Sequence, residues 1–288
     1  MPRSVHAWAN RLIHQVSRRQ EKVYEPRPED GSFIRLSRGG YKSPEYWILK
    51  TIMQHIEKGE KVMLLASCSF MLRPVIAVLR KWAIPFHNPY RRSAGFWNPL
   101  RHGRRESSVN RILALAGDRP WTHRDLKLWA ECLNPKGNLR PGAKALIEGS
   151  DDSLPVTTER LSELFEPAAV GALLAASGDP QQLIQWWSRR VAPAFRGRVQ
   201  FPVAVALAGG PRALEESPRV IVGTIHSVKG GEADVVFLFP DLSPAGDSAY
   251  QLYGPQRDSV IRLFYVGMTR ARQTLYICQR ESSRAVVI

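Results

Sequence analysis

The sequence predicts an α/β protein, a parallel-sheet domain interrupted by a mainly helical insertion. Three observations carry this. Short apolar runs rich in β-branched residues (VMLLA at 62–66, RVIVGT at 219–224, ADVVFLF at 233–239) read as strands buried on both faces. In the first and last parts of the chain such runs alternate with helical periodicity, the order from which parallel crossovers are built. Between about residues 91 and 217 the strand signal fades, and helices follow one another between Gly, Pro and Asn breaks.

Taken in order, Val5, Trp8, Leu12, Ile13 and Val16 share one helical face. That spacing predicts an amphipathic helix over 4–20 with basic residues outward. Pro26–Gly31 reads as a turn and 32–36 as a short strand. Pro44 suits the first turn of a helix reaching about Lys58, which Gly59 ends. Residues 61–66 are a buried strand, Ser67–Ser69 can cap a helix through Trp82, and 84–86 is extended. In the middle, helices are expected over 107–115, 122–133, 157–165, 167–176 and 180–191. Then follow strands over 219–224 and 233–239, a helix over 256–271 and a last strand over 274–278. The expected division is 1–90 and 218–288 for the parallel-sheet domain and 91–217 for the insertion.

The 288 residues hold 41 Lys plus Arg against 26 Asp plus Glu, a net charge of +15. Such an excess argues for a polyanionic partner. It is densest early, with 15 basic against 7 acidic residues over 1–90, 18 against 13 over 91–217 and 8 against 6 over 218–288. Cys68, Cys132 and Cys278 lie too far apart for a zinc knuckle, and no metal site is expected. Three cysteines also exclude a disulfide scaffold, so reduced thiols and a cytoplasmic location are expected. The first twenty residues lack the apolar run of a secretory signal. No stretch approaches the roughly 20 apolar residues of a membrane span.

Several motifs can be weighed on their residues. Gly39-Gly40-Tyr41-Lys42-Ser43 is not a phosphate loop, because Lys does not follow Gly directly and the upstream Gly is absent. Asp151-Asp152 sits among Gly, Ser and Pro and reads as a solvated turn. Arg91, Arg92, Arg101, Arg104 and Arg105, with Tyr90, Phe96 and Trp97 among them, suit phosphates and exposed bases. A solvated loop around a buried Trp is the alternative. In VGTIHSVKGGEAD (222–234) a strand runs into Thr224, His226, Lys229, Gly230, Gly231 and Glu232. A polar, Gly-rich turn after a strand is where parallel sheets put ligand contacts, and its N–H groups can meet phosphate. In RLFYVGMTRAR (262–272) Arg262, Tyr265 and Thr269 share a helical face, and Arg270 lies near the helix end. Arg270 could neutralise charge on a transferred phosphoryl group. On these residues alone, a surface Arg stabilised by the helix dipole is the simpler reading.

Together, TIHSVKGGEADVVFLFPDLS and RLFYVGMTRARQTLYI resemble motifs V and VI of superfamily-one DNA helicases of the UvrD/Rep/PcrA type. PRSVHAWANRLI resembles the helix after that family's motif IV, and EKVMLLASCSFMLRPVIAVLRKWAIPF the strand–helix–strand that follows. The resemblance implies a RecA-like domain of the P-loop NTPase kind, here without a P-loop. It implies that Thr224, His226 and Lys229 sit by the DNA backbone or couple it to the nucleotide site, that Glu232 approaches the nucleotide ribose, and that Gly230 and Tyr265 also belong to the nucleotide-binding side. It further implies that Arg270 contacts the γ-phosphate while Tyr265 and Thr269 support its helix. Gly231 departs from the Leu commoner in this turn. The family's phosphate loop and magnesium-binding acidic pair belong to a first motor domain, and neither is found in this sequence. The expectation is therefore the C-terminal module of an ATP-dependent 3′–5′ DNA helicase. Its partners would be single-stranded or partly duplex DNA and an N-terminal helicase half, if the gene is split. ATP would be the shared cofactor, with Mg2+ held by the other half and no ATP hydrolysis by this chain alone. The alternative is a non-catalytic DNA-binding or partner-binding protein derived from a helicase half.

Overall fold

The computed structural model describes residues 1–20, 24–44, 46–101 and 107–288. The chain divides into two compact units, Met1–Ser93 with Pro218–Ile288, and Ala94–Ser217.

The first unit opens with α1 (Arg3–Ile13), whose Val5, Ala9, Leu12 and Ile13 are buried on one face. The helix expected to reach residue 20 stops at Ile13. The cause is Asp258, whose carboxylate accepts the N–H groups of Ser17 and Arg18 at 2.9 and 3.3 Å and draws the backbone out of helical geometry. Next come β1 (Ser32–Arg35), α2 (Tyr46–Glu57), β2 (Val62–Ala66), α3 (Leu72–Lys81) and β3 (Phe86–His87). A short 3-10 turn over Ser69–Met71 precedes α3, which therefore begins later than the sequence suggests.

The second unit is helical: α4 (Ser108–Ala116), α5 (His123–Ala130), α6 (Ala143–Glu148), α7 (Thr158–Leu164), α8 (Pro167–Ala176), α9 (Pro180–Arg190) and α10 (Pro193–Gly209). Ser107, Thr122, Thr157 and Asp179 cap α4, α5, α7 and α9 through their side-chain oxygens. Pro167, Pro180 and Pro193 stand in first turns, where a missing N–H costs nothing. α5 ends at Ala130 rather than 133 because the next residues leave the helix to pair with the start of α10: Ala192 N donates to Cys132 O at 2.8 Å, and Leu133 bridges Val191. α6 and α10 are not foreseen. α10 contains Gly197 and Pro202, both of which argue locally against a helix. Burial of Val199, Phe201, Val203, Val205 and Ala206 overrides that preference.

The chain then returns to the first unit with β4 (Val220–Thr224), β5 (Ala233–Leu238), α11 (Pro244–Gln251), α12 (Pro255–Met268) and β6 (Ala271–Ile277). Six strands form one sheet in the order β1-β6-β5-β2-β4-β3, and every pairing is parallel. The register aligns Val62 with both Val220 and Val235, and Val235 with Thr274. Met63, Leu65, Val236, Leu238, Leu275 and Ile277 face one side, with Ala9, Leu12, Ile261, Phe264 and Met268 of α1 and α12. α2 and α3 contact β2 and β4, and β2 is buried at all five positions. Covering on both faces is why the strand sequences are continuously apolar rather than alternating. Among the described residues, no helix is long and apolar enough to cross a membrane.

Candidate functional site

Thr224 closes β4 and turns the chain. Its hydroxyl accepts from Ser227 N at 3.3 Å, and Ser227 Oγ donates to Thr224 O at 2.9 Å. These bonds build a 3-10 turn over Ile225–Val228, anchored by the fully buried side chains of Ile225 and Val228. His226, Lys229, Gly230 and Glu232 remain exposed. Gly230 has φ +85°, a left-handed conformation that favours glycine. Because β4 and β5 are parallel, residues 225–232 run back along the sheet, from the carboxyl end of β4 to the amino end of β5. Thr224 and Arg270 therefore lie at opposite ends of the sheet.

At that amino end the turn meets the exit of α12. The helix stops at Met268 and β6 starts at Ala271, so Arg270 stands in the connecting turn and not on the helix expected to reach 271. Ala233 N donates to Arg270 O at 3.0 Å. The guanidinium folds back: Nε donates to Val266 O at 2.9 Å, Nη1 to Gly231 O at 3.1 Å and Nη2 to Thr269 Oγ1 at 3.1 Å. Thr269 Oγ1 donates in turn to Val266 O at 2.8 Å. All three acceptors are neutral. Arg270 therefore keeps its whole positive charge, half-buried, and these bonds use three of the five N–H groups that a guanidinium offers. An arginine fixed by neutral acceptors, with donors to spare, fits a phosphate.

Residues 219–278 match the family model of the UvrD-like helicase C-terminal domain. Over that segment the match supports a likeness to the C-terminal part of a UvrD/Rep-type helicase. The matched segment runs from the residue before β4 to the residue after β6, so both turns lie inside it. No curated protein matches the chain. The matched family is one of helicase, DNA-binding domains, and the all-parallel six-stranded α/β sheet is consistent with a RecA-like domain.

Other expected site residues take different surroundings. Glu232 pairs with Arg27 at 3.3 Å, both groups being substantially exposed. Arg27 has no signal of its own in the sequence, where it sits in a proline-rich turn. Tyr265 is half-buried beside the α1–α12 core, and burial is the main cause that pushes its phenol above the usual range. Arg262 donates to Arg18 O at 2.7 Å and lies 3.7 Å from Asp258. Burial pushes the Cys132 thiol up to about 11 and raises Cys278 as well, which disfavours the nucleophilic thiolate form.

The basic and aromatic cluster is divided. Tyr90, Arg91 and Arg92 belong to the first unit, whereas Phe96, Trp97 and Arg101 belong to the second. Phe96 and Trp97 pack edge to face with centroids 5.2 Å apart. Arg104 and Arg105 lie outside the described residues. Asn88 is a further site residue that no periodicity announces. Fully buried, it donates from Nδ2 to Val222 O at 3.0 Å and to Ser227 Oγ at 3.2 Å, and its Oδ1 accepts from Tyr90 N at 3.1 Å. The exit of β3 is thereby tied to the turn after β4.

Proposed function

We propose that this chain works as the second motor domain of an ATP-dependent 3′–5′ DNA helicase. It would supply single-stranded DNA contacts and an arginine finger to a nucleotide site shared with an N-terminal motor domain. The observation that carries this reading is Arg270: an arginine pinned by Val266 O, Gly231 O and Thr269 Oγ1, at the meeting point of the two family motifs, with no ion pair among the described residues. Bound ATP with Mg2+ supplies the phosphoryl group to be transferred. Arg270 orients its remaining N–H groups toward the phosphate, and its anchoring removes the entropy of placing a long side chain at the moment of reaction. Glu232 exchanges Arg27 for a ribose hydroxyl, which an exposed ion pair worth at most about 1 kcal/mol allows. Gly230 lets the turn approach closely, and Tyr265 holds α12 in place. Thr224, His226 and Lys229, with Arg91, Arg92, Arg104 and Arg105, contact DNA, and the excess of cationic side chains makes that binding weaken steeply with salt.

The test is hydrolysis by parts. The purified chain alone is expected to show no turnover. Mixed with the first motor domain of a UvrD-type helicase and oligo(dT), it is expected to give DNA-stimulated ATP hydrolysis beyond that of either part. Turnover by this chain alone contradicts the reading. Salt-sensitive DNA binding without hydrolysis in the mixture favours a non-catalytic DNA-binding protein instead.

A further inference from the structure

Two glycines of the β4–β5 connection are crowded by one short segment. A Cβ at Gly223 would lie 2.5 Å from Asn88 Nδ2, with Ser227 Oγ at 2.6 Å and Val228 Cγ1 at 2.9 Å, and a Cβ at Gly231 would lie 1.9 Å from Tyr90 Oη and 2.3 Å from Tyr90 Cζ. Neither glycine needs a positive φ, so backbone freedom does not explain them. Space does. The phenol of Tyr90 occupies the place of the side chain that residue 231 lacks. Tyr90 is held there by its own backbone bond to Asn88, and Arg91 N adds a bond to Asn88 O at 3.1 Å. On its other side, Gly231 is bonded twice: its N–H donates to Val228 O at 2.9 Å, and its carbonyl accepts from Arg270 Nη1 at 3.1 Å.

We propose that Tyr90 is the positioning residue of this turn: its ring sets Gly231, and through the Gly231 carbonyl it sets the guanidinium of Arg270. Tyr90 is also 42% exposed and is followed directly by Arg91 and Arg92. A nucleic acid drawn to those two arginines would press on the same ring, so the contact Tyr90–Gly231–Arg270 links the DNA-facing surface to the finger. That purpose rests on the helicase reading, whereas the positioning rests on the geometry alone.

The experiment uses this chain without ATP or DNA, so its failure is distinct from failure of the helicase reading. The readout is solvent exchange of the Arg270 Nη1–H group that Gly231 O accepts, followed by low-temperature NMR in the wild type, Tyr90→Phe, Tyr90→Ala, Gly231→Leu and the Tyr90→Ala/Gly231→Leu pair. Loss of one ordinary hydrogen bond corresponds to about a tenfold change, so Tyr90→Ala and Gly231→Leu should each speed exchange about tenfold. Tyr90→Phe keeps the ring and should stay close to wild type. In the double variant the leucine fills the vacated space, and exchange should return most of the way to the wild-type rate. A residue that merely packs would lower the melting temperature and leave Arg270 exchange untouched. Unchanged exchange in Tyr90→Ala overturns the proposal, and so does a folded double variant no better than the worse single one. If Gly231→Leu does not fold, Tyr90→Ala against Tyr90→Phe decides the matter alone.

Discussion

The two compact units spend their polar residues differently. In the helical unit, the polar groups close the ends of helices. Thr122 and Asp125 form a reciprocal cap on α5, and Asp179 accepts two N–H groups at the start of α9. Its core is aromatic: Trp129 has Trp121, Phe165 and Trp186 at centroid distances of 5.4, 5.8 and 6.1 Å. In the α/β unit the core is mostly aliphatic, with Phe264 among its few aromatic members, and polar groups gather in the connecting turns, among them Arg270, Glu232, His226 and Lys229. A polar residue that the fold already uses tells little about function. One that the fold positions without neutralising tells much.

The contrast can be broken by substitution, and the largest effect is expected in the aromatic core. Trp129→Ala should cost about 3–5 kcal/mol and open the helical unit, while amide hydrogen exchange across β4, β5 and β6 stays protected. Equal loss of protection in both units would mean that they do not fold as separate entities. Gly230→Ala comes next. Forcing a Cβ into φ +85° should cost about 1–2 kcal/mol, measured by urea unfolding, with the loss confined to the α/β unit. Thr122→Ala removes one half of the α5 cap and should cost about 1 kcal/mol, confined to the helical unit.

The finest distinction lies between two buried carboxylates of the α/β unit. Asp258 accepts from Ser17 N, Ser17 Oγ and Arg18 N, and the Ser17 N–H is the main cause that holds its pKa below the usual range. Asp241 accepts from Glu281 N, Ser282 N and Ser282 Oγ on one oxygen, while its Oδ2 has no partner among the described residues. Burial raises its pKa. The signs are therefore opposite. The stability due to Asp258 is present above its unfolded pKa of about 4 and disappears as pH falls through the lowered folded value. The stability due to Asp241 is present below about pH 4 and disappears as pH rises through the raised folded value. At pH 7, Asp258→Asn should destabilise and Asp241→Asn should stabilise, and both differences should shrink toward pH 3. Melting temperatures of the two variants across that range give the check.

What was legible follows the same division. The strands were readable because a parallel sheet covered on both faces demands continuous apolar runs, and VMLLA and ADVVFLF leave little else to infer. The two family motifs were readable because they gather hydroxyl, imidazole, ammonium and guanidinium groups where a connecting turn needs none. The length of α10 was not readable, since Gly197 and Pro202 speak locally against a helix that only burial sustains. Nor was the end of α1, which is set by Asp258, 241 residues from Ser17. Asn88 and Tyr90 escaped because they act by filling the space over two glycines distant in sequence, a relation with no period or spacing.

The most direct measurement is the rate of oligo(dT)-stimulated ATP hydrolysis by this chain and a UvrD-type first motor domain together, with Arg270 intact and with Arg270→Ala. An arginine finger predicts a fall in kcat of about 10³-fold or more, with the KM for ATP changed far less. An unchanged kcat in the folded Arg270→Ala variant would contradict the role given to Arg270, and with it the view that the two turns exist to hold it.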